Sequence, residues 1–384
     1  MSKPTEKLNR SVSSKQVLDA LMTILMPRLP LELQHTRIAA TDLWAVLAYA
    51  AVHQTSAEAA CATLADAPSG NRLREVLTAA LPERAVLQRH LNTVLRAQLP
   101  KSLLKGKRSY CLAGDLTLIP YHGQPQKEPS ELVRGASKGG TTHFHGYATL
   151  AVVHNRRRYV LAVKFLRAGE TTSQTLGWLL DRAKRLQIKV RRLYLDKGFC
   201  NQPVFRLLDR RGDSYIVPFA ARGKQGGVRQ LWHGPTTTTT YTLADRARRR
   251  YTLQVIVVRH RGYPRHGRRS LRWFVYAVAG LPPRLPPRQV YQLYRQRFGI
   301  ESSYRQLHQV RARTSTRNPT IRLLLVGLAL ILVNLYVALR AVLAQPRRAG
   351  WFSLPRLKLF IGRAVAERFG YAAVVQQRAS PLIS

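Results

Sequence analysis

The chain has 384 residues, of which 63 are Lys or Arg and 19 are Asp or Glu, for a formal net charge of +44. A surface this basic repels itself in isolation and has polyphosphate as its natural counter-ion, so nucleic acid is the expected partner. Hydrophobic residues make up 45% of the chain, which excludes a disordered basic tail; Cys61, Cys111 and Cys200 lie too far apart for a disulfide framework or a zinc site of the usual spacing.

Residues 1 to 15 are polar, with no apolar segment of the secretory kind, so the chain reads as cytoplasmic and nucleoid-associated. From Lys15 to Leu104 apolar residues recur at helical spacing, as in Val17, Leu18, Leu21, Met22 and Leu25, and again in Leu87, Leu91, Val94 and Leu95. Ser56 and Ser69 are expected to cap two short helices joined through Asp66-Ala-Pro68. Such a pair resembles a helix-turn-helix DNA reader, although many helical bundles contain similar pairs. The expected extent of this helical DNA-binding region is 1–104.

At Lys105 the period changes. Tyr110 to Ile119 is strand-like, with Asp115 inside it. Residues 120 to 142 form a loop rich in Gly, Pro and Lys, and loops this long in compact domains are functional or mobile. Phe144 to Val153 and Tyr159 to Phe165 read as a hairpin. Thr171 caps an amphipathic helix with Leu176, Leu179, Leu180 and Ala183 on its inner face, and Arg191 to Asp196 is another strand. Residues 105–221 are the expected first part of a core. Residues 222–284 hold a Thr run, two apolar strands and ten Arg between Arg246 and Arg272, the pattern of a β-rich basic insertion. Residues 285–345 are expected to complete the core with a helix around Glu301 and an apolar helix from Leu323 to Leu343. The apolar stretch reaches the roughly 20 residues that cross a bilayer, but Asn334, Arg340 and the lack of a second span make it a buried core helix. The tail, 346–384, carries Trp351, Phe352, Phe360 and Phe369 and can pack back.

At about 100° per residue, Tyr294, Arg297, Glu301 and His308 share one helix face, with Arg305 beside them. After Asp213 the chain holds only three acids, Asp245, Glu301 and Glu367, so the carboxylate on this face stands alone among cations. Asp115 and Asp196 sit in or at the end of strands, and a sheet with a helix across it can bring Glu301 to both. Three converging carboxylates repel one another unless a cation lies between them, and Mg²⁺ prefers a few carboxylates plus water. Two such ions about 3.5–4 Å apart can activate a nucleophile and stabilise the leaving oxygen of a phosphodiester.

Asp115-Leu-Thr, Asp196-Lys-Gly-Phe199 and Tyr294-x2-Arg297-x3-Glu301 resemble the three catalytic blocks of insertion-sequence transposases with an Asp-Asp-Glu triad. The last block resembles the Tyr-Arg-Glu signature of the subgroup whose ribonuclease-H-like core is split by a β-rich insertion. The resemblance runs from about Tyr110 to Leu343. It implies an α/β fold, with a ribonuclease-H-like mixed sheet and flanking helices joined to the N-terminal helical domain and the all-β insertion. It further implies that Asp115, Asp196 and Glu301 are catalytic and bind two Mg²⁺ ions, for which Mn²⁺ can substitute, while Tyr294 and Arg297 hold DNA phosphates. The implied partners are double-stranded DNA at the element's ends and target DNA, engaged by a dimer and not by a membrane-bound form. The family has Lys where this chain has His308, so either Arg305 takes over that phosphate contact beside His308 or activity is reduced. Trp232 in the insertion is a candidate to stack on an unpaired base.

Two other readings compete. His143-Phe-His145 places two imidazoles on one strand face, the arrangement of single-strand nucleases that use one metal and a Tyr nucleophile, here Tyr291 or Tyr294. It leaves Asp196 and Glu301 without a role. The non-enzymatic reading is a transposase-derived, inactive nucleic-acid binder whose acids are structural.

Overall fold

The computed structural model describes residues 12–33, 36–106, 108–154, 157–219, 221, 226–244, 249–261, 271–295, 297, 306–343 and 352–372. The chain divides into two compact units, one formed by Met1–Gln98 with Arg305–Ser384, the other by Leu99–Tyr304.

The first unit is helical. Its N-terminal part contains α1 (Ser14–Leu25), α2 (Ala40–His53), α3 (Ala57–Thr63), α4 (Gly70–Ala80) and α5 (Arg84–Ala97). Ser13 and Gln16 close a capping box at the start of α1, and Val17, Leu18, Leu21 and Leu25 form its buried face. The expected caps are present: Ser56 Oγ accepts from Ala59 N at 3.1 Å, and Ser69 Oγ from Arg72 N at 3.3 Å. Asn71, Arg72, Arg74, Glu75 and Thr78 of α4 face outward, while Leu73, Val76 and Leu77 are buried.

Two C-terminal helices, Pro319–Leu343 and Leu354–Phe369, belong to this unit. The first is long and apolar enough to cross a membrane, yet 83% of its most apolar window is buried against protein, as expected of a core helix. It packs on α5 and α2 within the helical unit. A helix apolar on nearly all sides can be buried by any core that surrounds it. Gly327 lies against Leu91 of α5, where an added Cβ would come within 2.9 Å of Leu91 Cγ. The last helix buries Leu357, Ile361 and Val365 and packs on α1 and α2.

The second unit is built on one nine-stranded mixed sheet. After a short α6 (Lys101–Leu104) come β1 (Ser109–Pro120), β2 (Val133–Lys138), β3 (Thr141–His154) and β4 (Arg157–Phe165). The chain continues through α7 (Thr172–Arg185), β5 (Lys189–Leu195), α8 (Gln202–Arg211) and β6 (Tyr215–Pro218). It then adds β7 (Thr237–Ala244), β8 (Arg250–Arg261), β9 (Leu271–Ala279) and α9 (Pro287–Arg295). The strand order is β2-β3-β1-β5-β6-β9-β8-β7, with β4 also paired to β3. β1, β3 and β4 form an antiparallel meander, whereas β5 and β6 run parallel to β1, joined to each other through α8. A parallel pair requires such a crossover.

Thr171 and Gln174 form the capping box of α7, whose Leu176, Leu179, Leu180 and Ala183 are buried as expected. The strands of residues 222–284 differ from expectation. They do not form a separate all-β module but continue the core sheet, β9 pairing antiparallel with β6 in the register Tyr215↔Ala279 to Pro218↔Tyr276. The four-residue β6 would otherwise present an unpaired edge, and β9 covers it with a fully buried run, Val275 to Val278.

Candidate active site

Asp115 stands in the middle of β1 and Asp196 immediately follows β5. These strands are parallel neighbours with Gly114 opposite Leu195, so the two aspartates project from adjacent positions on one face of the sheet. Asp115 is held by a hydrogen bond to its Oδ1 from Leu116 N at 2.9 Å. Asp196 is fixed from its backbone side, where its carbonyl accepts from Phe199 N at 2.9 Å in the turn that follows.

The same face carries Ala113, Tyr194, Ile216, Tyr276 and Val278, on which α9 lays Val290 and Tyr294. Tyr294 is 5% exposed; its hydroxyl donates to the carbonyl of Leu195 at 3.1 Å, one residue before Asp196, and its ring lies 5.2 Å from that of Tyr276. Burial pushes the Tyr294 phenol well above its ordinary pKa; nearby Arg297 opposes the shift and Asp196 reinforces it. The phenol therefore stays protonated and buttresses the backbone beside Asp196.

One turn beyond Tyr294, the Arg297 amide donates to the Tyr294 carbonyl at 2.8 Å, and its side chain turns back to the sheet. A single guanidinium nitrogen, Nη2, lies 3.2 Å from Asp115 Oδ1 and 3.5 Å from Asp196 Oδ1. Arg297 is 5% exposed, against 14% and 29% for the two aspartate side chains. Three segments far apart in sequence thus converge on one positively charged atom. Two nearby carboxylates in a partly dry setting need such a counter-charge, and their oxygens are hard donors of the kind Mg²⁺ accepts.

Gly114 allows β1 to approach its neighbours here. A Cβ on it would meet Leu195 Cδ2 at 2.9 Å and the Phe199 ring at 3.8 Å, both side chains being fully buried. Gly114→Ala is expected to destabilise the fold by about 1–3 kcal/mol through overpacking, a loss that a urea melt would measure. An unchanged midpoint would mean that Leu195 has room to move.

Glu301 and Arg305 lie outside the described residues. His308 is exposed in the helical unit, where its carbonyl accepts from Gln54 Nε2 at 2.8 Å. Trp232 is half-buried with the Arg229 guanidinium 4.5 Å from its ring centre. For the His-hydrophobe-His reading the placement is unfavourable: His145 is buried edge-on against Tyr121 at 4.8 Å, the Tyr294 hydroxyl is spent on Leu195, and Tyr291 packs against His260 and Phe274. Among the described residues no group of three His, Cys, Asp or Glu side chains is placed to hold a metal. The close approach of Arg297 to both aspartates was not foreseen, although the scarcity of acids after Asp213 was a signal that each cation near them matters.

The sequence profile of the transposase DDE domain family matches residues 107–335, which include β1 through β9, α9 and the apolar helix up to Leu335. No curated protein matches the chain in sequence. Among solved structures the chain is similar to the piggyBac transposase in a cryo-EM synaptic complex with hairpin DNA, with a TM-score of 0.55 at 10% identity. The alignment covers 99% of this chain and 89% of that one, and at this identity the likeness is one of fold. With more than half of its length matched by the family profile, the chain belongs to the transposase DDE domain family.

Proposed function

We propose that this transposase cuts and joins DNA strands at the ends of a mobile element by metal-dependent phosphoryl transfer. The observation that carries the reading is the meeting of Asp115 and Asp196 at Arg297 Nη2. We assign Asp115, Asp196 and Glu301 as the carboxylates that would hold two Mg²⁺ ions, the first two from adjacent strands and the third from the segment that follows Arg297. Bound ions would supply positive charge at the scissile phosphate and an activated water. The protein's own residues do the positioning. Leu116 N orients Asp115, the Tyr294 hydroxyl braces the backbone before Asp196, and Arg297 balances the pair until substrate arrives.

The strand order β4-β3-β1-β5-β6, three antiparallel then two parallel to the first, supports a ribonuclease-H-like core with acids on its two central strands. Tyr294 and Arg297 beside those acids support the Tyr-Arg-Glu subgroup. The net charge of +44 supports double-stranded DNA as partner, and the outward residues of α4 suit a major-groove reader. The solved relative's complex is synaptic, which favours a dimer on DNA here as well.

The test is a plasmid carrying the element's two ends, incubated with protein and either Mg²⁺ or EDTA. Mg²⁺-dependent breaks with free 3′-hydroxyls, lost in Glu301→Gln, are expected. Breaks that persist in EDTA, or that carry Tyr covalently on DNA, would overturn the assignment.

A further inference from the structure

Residues 120–142, loop-like in sequence, are an ordered feature that the catalytic assignment does not use. Glu131 is 3% exposed, and its carboxylate accepts from the backbone of Gln126 at 2.9 Å and of Lys127 at 3.2 Å. Tyr121 donates its N–H to the His143 carbonyl at 3.0 Å, its own carbonyl accepts from Thr141 Oγ1 at 2.9 Å, and its hydroxyl donates to Gln124 O at 3.1 Å. Ala168 N donates to Ser130 O at 2.9 Å and ties the loop to the end of β4. A buried carboxylate is costly unless its oxygens are hydrogen-bonded, and these two backbone donors hold the loop in one shape.

The shape encloses a cavity of about 940 Å³, lined by Tyr121, His122, Arg134, His143 and Arg167 among others. Among the described residues its one acid, Glu170, is already neutralised by Lys164 at 2.7 Å. The cavity is therefore cationic, with two guanidinium groups, two imidazoles and walls from Pro125 and Pro129. Its place on the sheet follows from register. Asp115 pairs with Thr149 and Ile119 with His145, so the next pair on that face is Tyr121 with His143, and Arg134 of β2 lies opposite His143. Tyr121, His143 and Arg134 thus continue the face that carries Asp115, on the order of 20 Å further along the strand direction, while Glu170, paired with Lys164 on the opposite face, makes the cavity span the end of the sheet.

We propose that this cavity holds one unpaired nucleotide of the DNA, its phosphate on Arg134 and Arg167 and its base against His122, His143 and the proline walls. A concave pocket this large exceeds what a lone phosphate fills, and a duplex keeps its bases stacked and presents a convex surface. The proposal rests on the reading that the protein processes DNA, and it adds a site for a strand that has left the duplex.

The experiment compares a blunt duplex with one of the same length bearing a four-nucleotide single-stranded extension, both of arbitrary sequence, by fluorescence anisotropy in EDTA. Wild type is expected to bind the extended duplex about tenfold more tightly. Arg134→Ala/Arg167→Ala and His143→Ala are expected to lose that preference while binding the blunt duplex as before. Both arginines are exposed, so the double variant should keep the wild-type melting temperature. Equal binding of the two DNAs by wild type, or an equal drop on both in the variants, overturns the pocket and leaves a diffuse basic surface. Failure to bind either DNA overturns the functional reading itself.

Discussion

Asp196→Asn is expected to reduce Mg²⁺-dependent DNA cleavage by at least about a thousandfold, because a carboxylate that shares a divalent ion contributes several kcal/mol to the transition state. Asparagine is nearly the same shape and keeps an oxygen at the metal position, but it removes the full negative charge that fixes the ion. The fold should tolerate it. Asp196 is 29% exposed, its backbone contact to Phe199 does not involve the side chain, and Arg297 retains Asp115 at 3.2 Å. DNA affinity should stay the same or rise by about twofold, since the variant removes one repulsive charge facing phosphate. Asp115→Asn should behave alike in cleavage. Its oxygen also accepts from Leu116 N at 2.9 Å, so a modest loss of stability, larger than for Asp196→Asn, should accompany it as that bond loses its charge assistance. Cleavage within tenfold of wild type in either variant, measured alongside anisotropy on the same DNA, would remove the aspartates from the chemistry.

Much of what positions the aspartates was legible because it is local. Tyr110 to Ile119 reads as a strand, and it lies within β1; Thr171 stands where a cap should and begins α7; Asp196 follows Leu193-Tyr-Leu195, the apolar end of β5. What escaped was long-range. β2 lies inside the expected loop because Arg-Gly-Ala-Ser has no apolar alternation, and only pairing with β3 makes it a strand. The strands of 222–284 look like a module in sequence, but which edge they join depends on β6 being short, and no residue within the insertion records that. The apolar helix shows no preferred face, so its partners could not be chosen from its own pattern. At the site, the spacing of Tyr294 and Arg297 put them on one helix face, which suggested two groups reaching together toward DNA. From that face the phenol meets the sheet backbone beside Asp196 and the guanidinium meets the acids, contacts that the helix spacing alone does not record.

That geometry makes Arg297→Gln the more informative substitution, since its expected effects differ in sign. Arg297 Nη2 occupies the position between two carboxylate oxygens where a shared cation would be most favoured. A metal ion entering the DNA-free protein must displace the guanidinium or share the acids with it, and either lowers its apparent affinity. With a neutral glutamine in place, divalent-ion affinity without DNA should rise roughly tenfold, whereas cleavage should fall because no guanidinium remains to meet the phosphate. The DNA-free, metal-free variant should also be less stable, by about 3–5 kcal/mol, because two partly buried carboxylates then face each other without a counter-charge. Added Ca²⁺ should restore much of that loss, so the thermal shift on Ca²⁺ addition is expected to be several degrees larger in Arg297→Gln than in wild type. In wild type the order of events reverses the competition: a DNA phosphate that draws Arg297 away frees the acids, so duplex DNA should tighten Mn²⁺ binding followed by electron paramagnetic resonance. By reciprocity Mn²⁺ should tighten DNA binding by the same factor, and the variant should lose this coupling. Equal Mn²⁺ affinity in the two DNA-free proteins would show that Arg297 does not compete for the site, and its ion pairs would then serve the fold alone.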